Sequence, residues 1–414
     1  MNKNLNKLRN QRQHTNMRIP TPFHPRRSIP SLTAAEMLLL ILTIGVRLFF
    51  LPSTSAVPAP YELTRQQIAD FRKDGVIVVR GLLEGEALNE AVEAANKIQK
   101  SQSWSQRIFH KMFPLYRNLS FQTYRKHKAL QKVAFDSTAP TIVAKLMGLD
   151  KQNEQGDSQN PRSLRLLKDA VMGFSRGDKG CGWHVDDKHF WPCEDTHQDN
   201  SQGPTKGSNR KIKSSDRNTA GINVWITLSP VTAEEGGGLA VAPGSHNLTG
   251  RGRVGKLLRK ARRTIASGGA QTTCALAMMD PTSHEYMERT KRVYDLQPGD
   301  AIIHDRYLFH KPDNFKSTND ENQDTVTKQR ISFRYMPSDA TYFDNGQSVD
   351  AALEHKNMKT GDPLWKGGEY FPQAWPHQLE AEAKASPRED ENIFGTKRVF
   401  QLARFILTSK AKKE

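Results

Sequence analysis

The chain has 414 residues, 36% hydrophobic and 25% charged, which describes a globular protein with a sizeable core and some polar excursions, in one large domain or two ordinary ones. Its three cysteines, Cys181, Cys193 and Cys274, are too few and too scattered for a disulfide framework or a tetrahedral zinc site, although they leave room for one bridge. The net charge is +17, but no basic stretch is interleaved with aromatics in the manner that grips single-stranded nucleic acid, so nucleic acid is not expected as a partner.

Residues 1–60 are predicted to form a leader. The seven Lys/Arg side chains of residues 1–35 stand there without an acid. An apolar run, Met37 to Val46, follows, then Arg47, a second apolar patch to Leu51, and small residues near Ala56. This order fits a cleaved secretory signal or organelle transit peptide; a single N-terminal anchor and a buried helix are the other readings. The first two imply the secretory pathway or an organelle, with membrane association through this segment if it is an anchor.

The folded part begins near Tyr61. Thr64 is placed to cap a helix whose apolar side chains include Ile68 and Phe71. The β-branched run from Gly75 to Gly81 is predicted to be a strand, and Glu84 to Lys100 a helix with Leu88, Ala91, Val92, Ala95 and Ile98 on one stripe. Residues 103–155 are mixed and mostly helical. Beyond residue 170 come strand-like runs: Ala170 to Phe174, Gly221 to Leu228, Gly238 to Ala242, Ala301 to His304 and Ile331 to Tyr335. Their spacing predicts a mainly β fold with flanking helices, of the sandwich or jelly-roll kind. Polar insertions near 194–218 and 316–327 are predicted to be loops, and Arg251 to Arg263, with seven basic residues and no acid, a solvated or surface-binding loop. The last stretch, 346–414, is predicted as a partly helical extension.

Three places carry the chemistry. In an extended segment residues i and i+2 point the same way, so His184 and Asp186 offer an imidazole and a carboxylate to one ion. A metal that must keep positions open for substrate and O₂ uses three protein ligands on one face, the two-histidine, one-carboxylate arrangement of non-haem iron. Pro298-Gly299-Asp300 turns the chain into a strand that holds two candidates for the second imidazole, His304 and His310. Further on, alternation puts Arg330, Ser332 and Arg334 on one strand face, where a guanidinium can grip a carboxylate in bidentate fashion.

Taken together, these segments resemble the phytanoyl-CoA dioxygenase family. Asn223 to Pro230 leads into Glu235 to His246, which closes on Pro243-Gly244-Ser245-His246; Asp300 precedes His310 by ten residues; Arg330-Ile331-Ser332 is followed by Arg334-Tyr335. The likeness covers about residues 61–340. It implies a double-stranded β-helix (jelly roll) core in an oxygenase domain over 61–345. It implies Fe(II) on His184, Asp186 and His310, and 2-oxoglutarate on Arg330, with Lys328 in reserve because the interval after His310 is long. Trp225 is implied to line the cosubstrate pocket, unless it is simply core, and Ser332 to assist Arg330. His246 is read as a structural turn residue. The reaction implied takes O₂, releases succinate and CO₂, and hydroxylates a small hydrophobic or acyl-type substrate, of which a CoA-linked form, its phosphates met by the 251–263 segment, is one option; ascorbate is an optional accessory. Hydroxylation is favoured over halogenation because Asp186 keeps the carboxylate that halogenating relatives lack. The alternative, of a different class, is a catalytically silent β-sandwich that binds ligand or membrane.

Overall fold

The computed structural model describes residues 61–102, 104–112, 118–150, 163–178, 180–186, 193–194, 221–247, 252–268, 276–316, 327–342, 358–359 and 361–377. The predicted leader, the 194–218 insertion apart from Glu194, most of the 316–327 loop and the end of the C-terminal stretch lie outside these residues. Among the described residues no helix is long and apolar enough to cross a membrane.

Thr64 caps α1 (Arg65–Asp74) in a full capping box: its hydroxyl accepts from Gln67 N at 3.1 Å while Gln67 Oε1 accepts from Thr64 N at 2.9 Å. The helix ends on Gly75 in the left-handed region, and His246 packs where a Gly75 Cβ would stand. The His246 turn is thus a brace for this helix end. Next come β1 (Val76–Val79), α2 (Gly85–Lys100), α3 (Trp104–Met112), β2 (Leu119–Phe121), α4 (Lys128–Phe135) and α5 (Ala139–Met147).

The remaining strands are β3 (Leu164–Ser175), β4 (Cys193–Glu194), β5 (Ile222–Thr227), β6 (Leu239–Val241), β7 (Ala301–Asp305), β8 (His310–Pro312), β9 (Thr327–Pro337), β10 (Thr341–Tyr342) and β11 (Gln373–Trp375). The main sheet runs β1-β7-β5-β9-β3-β11, with β2 also on β3, and its pairs are antiparallel. Facing it, β6 pairs with β8, and the chain at His184 bridges His310 on β8. This is the jelly roll expected of the sequence.

Period-two alternation divides the main sheet cleanly. One face, with Ile77, Val79, Val171, Val224, Ile226, Ile303, Ile331, Phe333 and Tyr335, is buried together with Ala91, Ala95 and Ile98 of α2 and Ile142, Val143 and Leu146 of α5. The opposite face carries His304, Asn223, Trp225, Arg330, Ser332 and Arg334, and turns inward toward β6 and β8. The helices therefore hold the sheet from outside while its polar residues are collected inside.

The Pro298-Gly299-Asp300 turn is fastened to the end of β1. Asp300 accepts from Gly81 N at 2.9 Å and Gln297 N at 2.9 Å, and pairs with Arg80 at 2.7 Å. Gly299 has φ +91° and a Cβ there would lie 2.0 Å from Leu83 O, so glycine is required.

Two expectations are revised. Residues 252–268 form a helix, α6 (Gly252–Gly268), rather than a loop; Leu258 and Ala261 bury one stripe beside Trp183, Val185 and Phe309. Two further helices, α7 (Leu276–Met279) and α8 (Pro281–Thr290), complete this layer. In the stretch predicted as partly helical after residue 346, the described residues make 3-10 turns over Leu364–Tyr370 and the strand β11 on the edge of the main sheet; the helical end predicted for it lies outside the described residues.

Candidate metal centre

His184, Asp186 and His310 each offer a ligand atom, and these atoms all lie within 4.8 Å of one another. The pair from one segment and the single histidine from a strand more than a hundred residues later are joined by backbone. His184 N donates to His310 O at 3.0 Å, and His310 N to His184 O at 2.9 Å. This reciprocal pair sets the two rings side by side, tilted by 54° with centroids 4.4 Å apart.

Each imidazole is oriented by its own loop. His184 Nδ1 lies 2.8 Å from Gly182 O and His310 Nδ1 2.9 Å from Leu308 O. A carbonyl only accepts, so both Nδ1 atoms carry the proton and both Nε2 lone pairs are left for an ion. Burial, and then the neighbouring His310, pull His184 down to about 4, so it is neutral at physiological pH.

Asp186 is divided between two tasks. Its Oδ2 accepts from Arg334 Nε at 3.0 Å and from the Asn223 side-chain amide. Its Oδ1 faces His310 Nε2 at 3.6 Å. Burial alone would push this carboxyl up, but Arg334 and then the His310 and His184 rings outweigh it and hold the group well below the ordinary carboxylate range. One oxygen is fixed by the protein and the other, ionised, is left facing the two imidazoles.

His304, the rival imidazole, stands beside the centre rather than in it. Its ring centroid is 4.7 Å from that of His310, its Nδ1 lies 2.9 Å from Asp305 O, and it is not among the three convergent ligands. Burial, then the charge on His310, pull it down to about 3. It is a neutral ring packed behind a ligand.

Arg330 lies on the same inner face, 5% exposed. Its Nη1 donates to Gly237 O and Gly238 O, both at 3.3 Å, and its guanidinium carbon sits 5.0 Å from the Phe174 ring and 5.6 Å from the Trp225 ring. Its Nε is buried with no hydrogen-bond partner. Burial pulls it down to about 10, which leaves it charged at neutral pH. Lys328 is engaged instead with Glu235 at 2.8 Å. Trp225 packs with Ile302 and Leu239 and carries Arg330 on its ring. The Ser332 hydroxyl accepts from Arg334 Nη1 at 3.5 Å, which places it on the metal side of the face.

The residues that support Asp186 were not assigned from sequence. Arg334 was on the right face by alternation, and Asn223 shares a parity with Trp225, but only the β5–β9 register brings Asn223 opposite Arg334. Glu288 on α8 had no sequence signal. It accepts from Trp183 Nε1 at 2.9 Å and from Lys311 Nζ, and so ties the residue before His184 to the residue after His310. Burial would raise Glu288, but Lys311 and Lys291 outweigh it and lower it to about 2. Glu288→Gln is expected to weaken iron binding about tenfold and lower stability by about 1 kcal/mol. A folded value below the ordinary 4.5 contributes stability above that pH and loses it as pH falls toward 2, so the stability gap between the two proteins should close over that window. Iron titration and urea unfolding at pH 7 and pH 3 test this; equal iron affinity would remove Glu288 from the centre's support. Cys181, three residues before His184, is disulfide-bonded, the one bridge the cysteine count allows.

The phytanoyl-CoA dioxygenase family model matches residues 71–320, more than half of the chain. Among solved structures the chain is similar to the non-heme α-ketoglutarate-dependent carbocyclase SnoK from nogalamycin biosynthesis, at 18% identity and TM-score 0.50, over 76% of this chain and 97% of that one. It is also similar to the epimerase SnoN from the same biosynthesis (17%, TM-score 0.49, 76% and 97%) and to EctD from S. alaskensis (14%, TM-score 0.45, 73% and 89%). No curated protein matches. At such identities the structural likeness speaks to the fold, and the family match carries the assignment: the chain belongs to the phytanoyl-CoA dioxygenase family.

Proposed function

We propose that the protein is an Fe(II)- and 2-oxoglutarate-dependent dioxygenase that hydroxylates a small hydrophobic or acyl-type substrate. The observation that carries this reading is the pairing, on one inward face, of a three-ligand His-Asp-His group with a buried guanidinium that has no carboxylate of its own. The donor set fits iron: two imidazoles and one carboxylate are the three-ligand set that non-haem iron takes. The buried cation fits the far carboxylate of the cosubstrate, for which a bidentate fork in a dry site is the strong partner. When bound, iron and 2-oxoglutarate supply the oxidation, with loss of CO₂ and formation of succinate, and ascorbate is an optional reductant.

The chain's own residues position and exclude. His184, Asp186 and His310 would hold the ion, each with the ligand atom that the other two face. Arg334 and Asn223 keep the second Asp186 oxygen occupied and so fix the orientation of the carboxylate. Arg330, held by the Phe174 and Trp225 rings, would take the cosubstrate's far carboxylate, and fully buried Trp183 and Phe309 back the strands of the site against solvent. The carboxylate at Asp186 favours hydroxylation over halide transfer, since the position a halide would take is filled.

The test is succinate formation by the full chain given Fe(II), 2-oxoglutarate and air. Iron-dependent succinate that stops on chelation supports the reading. No iron uptake together with no succinate would sink it and leave a silent ligand-binding β-sandwich.

A further inference from the structure

The Arg330 side chain is the inner end of a series of contacts that leads to a half-buried phenylalanine. Its guanidinium lies over the rings of Trp225 and Phe174, 5.6 Å and 5.0 Å from their centroids. Phe174 shares the inner face of the sheet, because it is opposite Lys328 on β9 just as Met172 is opposite Arg330. The buried Phe174 ring stacks on Phe315, with centroids 5.6 Å apart and planes 11° from parallel. The Arg176 guanidinium in turn lies 5.1 Å from the Phe315 centroid, and its Nη1 donates to Lys316 O.

Phe315 is held in place by the glycine run at 236–238. Gly237 N donates to Asp313 O at 2.8 Å, Asp313 N to Gly238 O at 2.9 Å and Lys316 N to Glu235 O at 3.0 Å, so residues 235–238 and 313–316 are zipped together. Gly237 has φ +80°, and a Cβ there would stand 2.6 Å from the Phe315 ring. Glycine is therefore needed twice over, for the backbone and for the ring that lies against it. The peptides of Gly237 and Gly238 also supply the two carbonyls that accept from Arg330 Nη1. Phe315 thus touches both things that orient Arg330: the peptide it donates to and the Phe174 ring beside it.

A guanidinium confined by two rings and two carbonyls has little freedom to slide along the strand. It meets a carboxylate at one distance from the three candidate ligands, and a bidentate fork tolerates little misplacement. We propose that Phe315 is a positioning residue for the cosubstrate: braced against Phe174 and Gly237, it fixes Arg330 and so sets the length of 2-oxo dicarboxylate that the site accepts. This rests on the dioxygenase reading and deepens it.

The test titrates 2-oxoglutarate, and 2-oxoadipate with one methylene more, into the iron-loaded full chain without oxygen. The wild type should prefer 2-oxoglutarate by about 10- to 200-fold, the range that one methylene is worth in a fitted pocket. In Phe315→Ala, 2-oxoglutarate affinity should fall about tenfold and the preference to about threefold or less, with iron affinity unchanged. Phe315→Leu keeps apolar bulk against Phe174 and should fall between the two, which keeps the proposal open to test if the alanine variant does not fold. A role in packing alone would weaken both acids by the same factor and leave their ratio where it was. An unmoved preference in the variants therefore overturns the proposal, as does equal binding of the two acids by the wild type; in either case 2-oxoglutarate binding leaves the dioxygenase reading standing. Iron uptake by the wild type without binding of either acid overturns both together.

Discussion

Replacing Asp186 with alanine is expected to abolish iron binding and succinate formation, and also to destabilise the metal-free protein. The first effect follows from ligand count: two neutral imidazoles alone are a poor site for Fe(II). The second follows from Arg334, which is 8% exposed and has its Nε on Asp186 Oδ2. Removing the carboxylate leaves that guanidinium buried beside His184 and His310 with its anion gone, a change that costs about 3–5 kcal/mol. The two effects can be separated. Adding Arg334→Met to Asp186→Ala removes the orphaned charge and should recover most of the lost stability, because an apolar replacement of a buried ion pair is often near neutral. Iron binding should not recover. Urea unfolding and iron titration on the two single variants and the double variant measure both. Iron retained within tenfold by Asp186→Ala would remove this carboxylate from the centre.

That division of labour within one side chain shows what the sequence exposes and what it conceals. The His184–Asp186 spacing is legible because a strand repeats every two residues. The choice of His310 over His304 is not local: it depends on the backbone pair between His184 and His310, and on His304 facing the back of that ring. Likewise, Lys328 and Arg330 share a parity, so alternation cannot distinguish them; what does so in the fold is Glu235, distant in sequence, which pairs with the lysine. The α6 helix was obscured by its seven-fold basic content, although Leu258 and Ala261 keep helical spacing. Strand β11 had no local signature at all. It is three residues long and exists through its register on β3, across an irregularity between Gln373 and Trp375.

Arg330→Met is expected to act with the opposite sign on stability and the same sign on turnover. In the absence of cosubstrate, Arg330 is a buried cation held by two long carbonyl contacts and two rings, with Nε unsatisfied. Desolvation that the Asp178 charge offsets only in part is a cost, so a methionine of similar reach should leave the metal-free protein as stable or slightly more stable. The wild type recovers that cost only when a carboxylate arrives. Removing one partner of a buried charge pair typically costs about 2–5 kcal/mol, so 2-oxoglutarate affinity should fall about 10² to 10³-fold while iron affinity stays within about threefold. Lys328→Met provides the contrast. Its ammonium already serves Glu235, so the variant should retain 2-oxoglutarate affinity and lose some stability instead. Titration of 2-oxoglutarate into the iron-loaded variants without oxygen, beside their urea unfolding curves, separates the cases. Loss of 2-oxoglutarate binding in Lys328→Met with Arg330→Met unaffected would move the anchor to the lysine, and the unpaired Arg330 would then need another anion.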